Sequence, residues 1–476
     1  MDPMTGIEQY KSYRDLPSLA GLCGMPQAIK SDWSLDESVT RLKRIHYVLR
    51  RIHETLLARI PGEPIYELKT LYSHHAYLCA EQVTSIRRRV SEMREPPLGL
   101  DKVPDSGLES TLNEISRCPE TVQFLAGVYS VVLPECRAAC ERLRADAHPV
   151  ADAPTVRMSK LMTYELTEIC QTGGQCIDCL LSDEHKQMVC EWSQHLHANL
   201  KASGSIDGTT PHQDCPPEAW YPDEKKSYQH EPERDERFRD PYNAGVNPEA
   251  FLYNEQYAAA DKTLMIYYKR LRELDVPEVM ATILTDLGDA EPWEFHMEMS
   301  RQLWDEARHA MMGEVGFAAQ NIDWTEIPIN FTWSKNLNTQ LTPRERHGVL
   351  FFIEQSLMPK SGKRYEWEVA AHSGDPLAKL FQDFDWADEV LHAQIGRRWY
   401  VPRYKSLKEA MAYGDKCWSQ VLSNWQQYKD AGLTEHRNWW PDLYSKSCKQ
   451  RGIAPDPHTL AFNETYEQQR ADLETL

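Results

Sequence analysis

The chain has 476 residues, enough for two or three domains, and 53 Lys and Arg against 72 Asp and Glu give a net charge of -19. This acidic balance repels nucleic-acid phosphates and anionic membranes, so neither is expected as a partner. The sequence contains no apolar run near the ~18 residues that span a bilayer, and its start lacks a signal-peptide pattern. The twelve cysteines are therefore expected to be free thiols in the cytoplasm.

Long segments with hydrophobic residues at a 3.6-residue period predict an all-α protein. The predicted helices are, in chain order, 36–59, 64–94, 121–144, 158–170, 181–202, 254–274, 293–319, 343–357, 376–399 and 407–430. The stretch between the fifth and sixth of these helices is rich in Pro, Gly and charged residues, which is typical of an irregular segment.

The predicted helices suggest four regions. Residues 1–200 are predicted to form one helical domain, 201–250 a linker or irregular arm, 251–404 a second helical domain, and 405–476 a C-terminal helix and tail.

An internal repeat relates the two helical domains. Pro64 and Pro292 each precede a long helix, and Pro134 and Pro359 each follow an apolar helix, at nearly the same offset. These correspondences favour a tandem duplication of one helical bundle. The first copy lacks the second copy's motifs, so residues 1–200 are predicted to be a degenerate bundle without a metal.

Two of the predicted helices contain the pattern Asp-Glu-x-x-His, at 305–309 and at 388–392. Because helical residues three apart share a face, each motif directs one carboxylate and one imidazole to the same point. The pairs are Glu306 with His309 and Glu389 with His392. Two such helices, with a glutamate from each of two others, supply the ligands of a dinuclear metal site in a four-helix bundle.

The other two ligands come from the helices that precede the motifs. Distance from the turn favours Glu273 in one helix; Pro277 is expected to kink that helix, which leaves Glu278 as an alternate ligand. Glu354 lies in an otherwise apolar run, where a buried carboxylate needs a compensating cation. The alternative for Glu354 is an arginine partner or an exposed position.

Further residues beside the motifs are expected to support the ligands. Asp305, Arg308 and Asp388 adjoin them, and a carboxylate that accepts the second N–H of a ligand histidine fixes its tautomer. For Arg308 an exposed salt bridge is the alternative. Trp386 precedes Glu389 by three residues and is expected to face the metals, where it would pack, wall an oxygen pocket or relay an electron. Carboxylate and imidazole ligands without thiolates suit iron or manganese.

The stretch 254–400 resembles the ferritin-like di-iron carboxylate superfamily and is most similar to a bacterial ferritin-like family. The likeness is carried by the segments 272–281, 292–295, 304–309 and 374–399. The first motif, Asp-Glu-Ala-Arg-His, also resembles the pattern of bacterial multicomponent monooxygenases.

The resemblance implies a ferritin-like four-helix bundle that binds two iron ions, with a mixed manganese–iron pair or two manganese ions as alternatives. The implied ligands are Glu306 and Glu389 as bridging catalytic residues, Glu273 and His309 on one ion, and Glu354 and His392 on the other.

The expected function is a non-haem di-iron oxygenase or oxidase that uses dioxygen to oxidise a small organic molecule. An electron donor and a second copy of the chain are candidate partners. A ferroxidase or other iron-handling protein and a manganese catalase-like protein are the alternatives in the same superfamily. A binding protein without catalysis is the alternative from another class.

Overall fold

The computed structural model describes residues 10–94, 99–213, 219–221, 229–243, 245–422 and 426–466. These residues form helices and no strand, so the all-α prediction is confirmed. Within these ranges, every helix is too short or too polar to cross a membrane.

The chain divides by its internal contacts into two compact units. Unit 1 comprises Met1–Thr55 and Leu78–Ser227, and unit 2 comprises Leu56–Tyr77 and Tyr228–Leu476. The segment Leu56–Tyr77, predicted as part of the domain 1–200, thus belongs with the C-terminal half.

Eight α-helices are formed by the described residues before residue 203. They are α1 (Met25–Ala28), α2 (Leu35–Arg59), α3 (Tyr66–Met93), α4 (Ser106–Arg117), α5 (Thr121–Leu125), α6 (Leu133–Asp146), α7 (Ala153–Leu180) and α8 (Lys186–Ala202). The helix predicted over 121–144 is interrupted by the π-helical segment Ala126–Val132. Pro134 follows this segment and has no N–H to donate, so the preceding turn cannot keep the regular α-helical bonding.

Twelve further α-helices follow in the part of unit 2 that the structure describes. They are α9 (Pro248–Leu252), α10 (Ala259–Arg272), α11 (Asp275–Leu287), α12 (Trp293–Ala319), α13 (Thr332–Gln340), α14 (Pro343–Ser356), α15 (Lys363–His372), α16 (Pro376–Trp399), α17 (Leu407–Leu422), α18 (Gln426–Asp430), α19 (Trp440–Arg451) and α20 (Pro457–Leu460).

Four helical elements of unit 2 position the candidate site. The first is α10 together with α11, the second is α12, the third is α14 together with α15, and the fourth is α16. Helix α12 packs on α10, α11 and α16, while α14 packs on α11 and α16, and α15 on α10 and α16. Gly313 allows α12 to approach α10 closely, because a Cβ atom there would collide with the backbone of Leu271.

Two of these elements are interrupted beside the site. The helix predicted over 254–274 ends at Arg272, and α11 begins at Asp275, so Glu273 lies in the junction. Pro277 is the third residue of α11, where a missing N–H breaks no helical hydrogen bond. The interruption expected from this proline lies four residues before it, at the junction between α10 and α11. The second interruption separates α14 from α15 and places Lys363 at the start of α15.

The predicted arm 201–250 lies partly outside the described residues. Its described part between α8 and α9 forms no helix, but it is not simply a solvated linker. In unit 2, Arg234 is buried against Asp275 and Glu278, and Phe238 belongs to the hydrophobic core. Burial of the arginine is favourable here because two carboxylates compensate its charge.

Candidate metal centre

Seven acidic and imidazole side chains converge between the four elements of unit 2. They form two groups, and within each group one ligand-type atom per residue lies within 4.8 Å of the others. The first group is Glu273, His309, Asp385 and Glu389, and the second is Glu306, Glu354, Glu389 and His392. All six residues predicted as metal ligands are therefore brought together, and Glu389 belongs to both groups.

The two histidines direct the same ring atom towards the carboxylates. Nδ1 of His309 lies 3.4 Å from a carboxylate oxygen of Glu273 and 3.7 Å from one of Glu306. Nδ1 of His392 lies 3.1 Å from the other oxygen of Glu306 and 3.7 Å from Glu354. Glu306 thus faces both histidines, one with each oxygen.

The opposite ring nitrogens are held by the aspartates of the motifs. Nε2 of His309 lies 3.2 Å from Asp388, and Nε2 of His392 lies 3.4 Å from Asp305. Arg308 donates to both aspartates, at 2.8 Å to Asp388. A carboxylate that accepts the Nε2 proton leaves Nδ1 with a free lone pair for a metal ion.

Several buried atoms of the cluster have no hydrogen-bond partner. They are Nδ1 of His309 and His392 and one carboxylate oxygen each of Glu273, Glu306 and Glu389. A buried polar atom without a partner costs about 1–3 kcal/mol, and a metal ion coordinated by these atoms would remove that cost. The set of carboxylate oxygens and imidazole nitrogens therefore fits iron or manganese.

Two buried cations accompany the carboxylates. Nζ of Lys363 lies 2.8 Å from Glu389 and 3.0 Å from Asp385, and Arg270 pairs with Asp385 and, at 2.8 Å, with Glu273. Both cationic side chains are fully buried. Sequence reasoning missed all three of these new members of the site. Asp385 carries a signal, since it precedes Glu389 by four residues and shares its helix face.

Burial and neighbouring charges shift the pKa values of the cluster in opposite directions. Burial opposes ionisation of Glu273, but the Arg270 charge and the His309 ring outweigh it and lower its pKa to about 2. Burial and the Glu389 charge raise the pKa of Glu354 well above its usual range. For His309, burial is outweighed by hydrogen bonds, first to Asp388, and the pKa rises to about 10. The cluster therefore favours positive charge at the imidazole positions.

Glu278, the predicted alternate ligand, lies outside both groups of the cluster. Its carboxylate accepts from Lys69 at 2.6 Å, from Arg234 at 2.9 Å and from the hydroxyl of Ser334 at 2.6 Å. These three donors compensate a fully buried charge within unit 2. The structure thus gives Glu278 a structural role and leaves Glu273 as the glutamate of the first element at the site.

A cavity of about 200 Å³ opens beside the cluster and is lined in part by Glu273, Glu306, Glu354 and Glu389. Its apolar wall consists of Val276 of α11, Trp333 of α13, Leu350, Phe352 and Ile353 of α14, Leu357 directly after α14, and Trp418 of α17. Trp386, for which packing, walling an oxygen pocket and relaying an electron were the open roles, does not line this cavity; its half-buried ring lies 6.4 Å from that of Trp367.

Comparisons with known proteins found no matching family model, no matching curated protein and no matching solved structure. The chemistry of the site therefore follows from its own residues.

Proposed function

We propose that this protein is a non-haem di-iron oxygenase or oxidase, built on a ferritin-like four-helix bundle, that uses dioxygen to oxidise a small organic molecule. The observation that carries the proposal is the convergence of four glutamates and two histidines, all of which except Glu354 have a buried polar atom without a hydrogen-bond partner. The pairwise packing of the four elements supports the bundle, because ligands of such sites project inward from all four helices.

The residues of the cluster have different roles in the proposed function. Glu306 lies beside both histidines and Glu389 belongs to both groups, so these two glutamates would help to hold both ions. Asp305 and Asp388 would hold the imidazoles in the tautomer that binds a metal. The two irons would supply the electrons that reduce dioxygen. Lys363, at 2.8 Å from Glu389, is placed to hold a proton beside that carboxylate.

The electron balance determines which partners the reaction needs. Insertion of one oxygen atom of dioxygen into the substrate, with the other released as water, consumes two electrons and two protons from an external donor. Removal of two electrons from the substrate with release of hydrogen peroxide needs no external donor. The proposal covers both reactions, and the demand for a reductant distinguishes them.

The cavity distinguishes the proposed function from iron handling. A ferroxidase needs only access for ions, whereas the wall here is apolar and aromatic and adjoins four of the proposed ligands. Apolar walls with a few placed polar groups are typical of sites for organic molecules. Manganese in place of iron, and binding without catalysis, remain outcomes that the experiment separates.

The test is to load metal-free protein with Fe(II) without oxygen, count bound iron, and record the optical spectrum when dioxygen is added. About two irons per chain and a transient visible absorption band are expected. Glu306→Ala is expected to lose iron, while Asp383→Ala, an exposed position on the same helix as Glu389, keeps it. Iron that does not react with dioxygen, or no bound iron in the parent protein, would contradict the proposal.

A further inference from the structure

The cavity beside the candidate metal centre contains a guanidinium group that the metal cluster does not explain. Arg272, the last residue of α10, lines this cavity next to Glu273. Among the described residues, no carboxylate oxygen lies within the 4.0 Å that defines an ion pair with Arg272. Its guanidinium carbon instead lies 5.6 Å from the ring centre of Trp333 and 5.1 Å from that of Tyr466.

Lys269, the other cationic side chain that lines the cavity, forms ion pairs with carboxylates. Nζ of Lys269 lies 2.6 Å from a carboxylate oxygen of Glu366 and 3.5 Å from one of Glu249. The charge of Lys269 is therefore compensated inside the protein. The charges of Glu249 and Asp275 also act on Arg272, but neither carboxylate lies within ion-pair distance of its guanidinium. The planar group therefore keeps N–H donors whose natural partner is a carboxylate, bound through two parallel hydrogen bonds.

The rest of the lining limits the size and polarity of a ligand. The cavity has a volume of about 200 Å³. Pockets that bind drug-sized molecules have volumes of about 300–1,000 Å³, so this cavity fits a more compact molecule. Trp333 and Trp418 meet edge to face with ring centres 4.2 Å apart, and Phe352 and Leu350 add apolar surface. The body of the ligand is therefore apolar.

We propose that the substrate class is a compact organic monocarboxylic acid: its carboxylate pairs with Arg272, and its apolar body packs on the wall of Trp333 and Phe352. This assignment rests on the di-iron function proposed above. Glu249 and the four glutamates of the metal cluster line the same cavity and repel a multiply charged anion, and so does the net charge of -19. One guanidinium outside any ion pair offers a partner for a single carboxylate.

The test compares acids with neutral analogues of the same shape. Benzoate and hexanoate, with benzamide and hexanamide as neutral counterparts, are titrated into the full chain, and binding is followed by the fluorescence of the wall tryptophans and by calorimetry. The acid is expected to bind about tenfold or more tightly than its amide, as a hydrogen bond to a charged group predicts. Because a carboxylate can also bind a metal directly, the titrations use both metal-free and iron-loaded protein.

Variants assign the preference to one side chain. Arg272→Gln is expected to abolish the preference for the acid, and Arg272→Lys to keep part of it, while Arg364→Gln, an exposed arginine paired with Glu368, keeps all of it. Circular dichroism checks that each variant is folded. The proposal is overturned if acid and amide bind equally, or if no probe shows saturable binding. It is also overturned if the preference for the acid appears only with iron, or if Arg272→Gln keeps that preference.

The iron count separates this inference from the function on which it rests. Parent protein that shows the acid preference but binds no iron would contradict the di-iron proposal and leave a carboxylate-binding site. Parent protein that binds two irons without the preference would leave the metal centre and overturn the substrate class.

Discussion

Asp305 on α12 lies 3.4 Å from Nε2 of His392 on α16. The reverse contact joins Asp388 on α16 to Nε2 of His309 on α12 at 3.2 Å. Each Asp-Glu-x-x-His motif thus orients the histidine of the other motif. These contacts therefore join the two helices at the point where their candidate ligand atoms meet.

Asp305→Asn is expected to weaken Fe(II) binding by about tenfold or more, because the neutral amide no longer raises the basicity of the His392 ring. The affinity is measured by anaerobic titration with a competing chelator. Asp383→Asn on α16 is the control, since that side chain is exposed. Unchanged affinity in Asp305→Asn would show that the 3.4 Å contact does not orient a ligand.

The two groups predict different iron counts for two glutamate variants. Glu389 belongs to both groups and Glu354 to only one. Glu389→Ala is therefore expected to bind less than one iron per chain, whereas Glu354→Ala keeps about one. Bound iron per chain is measured by inductively coupled plasma mass spectrometry after gel filtration. Equal counts in the two variants would argue against a shared Glu389.

Glu278→Gln is expected to lower the free energy of unfolding by about 3–5 kcal/mol, because it leaves Lys69 and Arg234 buried without their shared carboxylate. The change is measured by urea denaturation. The folded variant should still bind about two irons per chain. A variant of parental stability that has lost iron would return Glu278 to the ligand set.

His347 makes the stability of unit 2 sensitive to acid. Burial, with the charges of Arg403 and Arg344, lowers the pKa of His347 to about 3. The unfolded chain binds the proton at about pH 6.5, so this group destabilises the fold by about 1.4 kcal/mol per pH unit as the pH falls from 6.5 towards 3.

His347→Phe removes this titration and keeps a ring against Phe295 and Tyr400. The difference in unfolding free energy between parent and variant is expected to shift by about 1.4 kcal/mol per pH unit below pH 6.5. Urea denaturation of both metal-free proteins between about pH 7 and 5 measures it. A constant difference would show that His347 titrates alike in both states.

The sequence predicts the centre of the site better than its surroundings. Helical spacing brings Glu306 and His309 onto one face, and distance from the turn selects Glu273 over Glu278. Both inferences use only residues within one helix or one hairpin. They agree with the positions in the structure because the period of the helix fixes such relationships.

Arg270 and Lys363 show why the surroundings were missed. Arg270 lies one turn before Glu273, and Lys363 follows the break between α14 and α15. Whether these cations face the cluster or solvent depends on how three separate elements dock, and no local pattern encodes that. For Trp386 the sequence left packing and a role in an oxygen pocket open for the same reason, and in the structure its ring packs beside Trp367.

The buried cations also set the electrical state of the centre. The two groups contain five carboxylates, faced by Arg270 and Lys363, so with all carboxylates ionised and both imidazoles neutral the side chains carry a charge of minus three. A pair of divalent ions would bring the centre to plus one, which would attract a monoanionic substrate bound beside it. Metal loading and substrate binding would then be linked: each would tighten the other by the same factor, so that a cell short of iron would also hold this substrate less tightly.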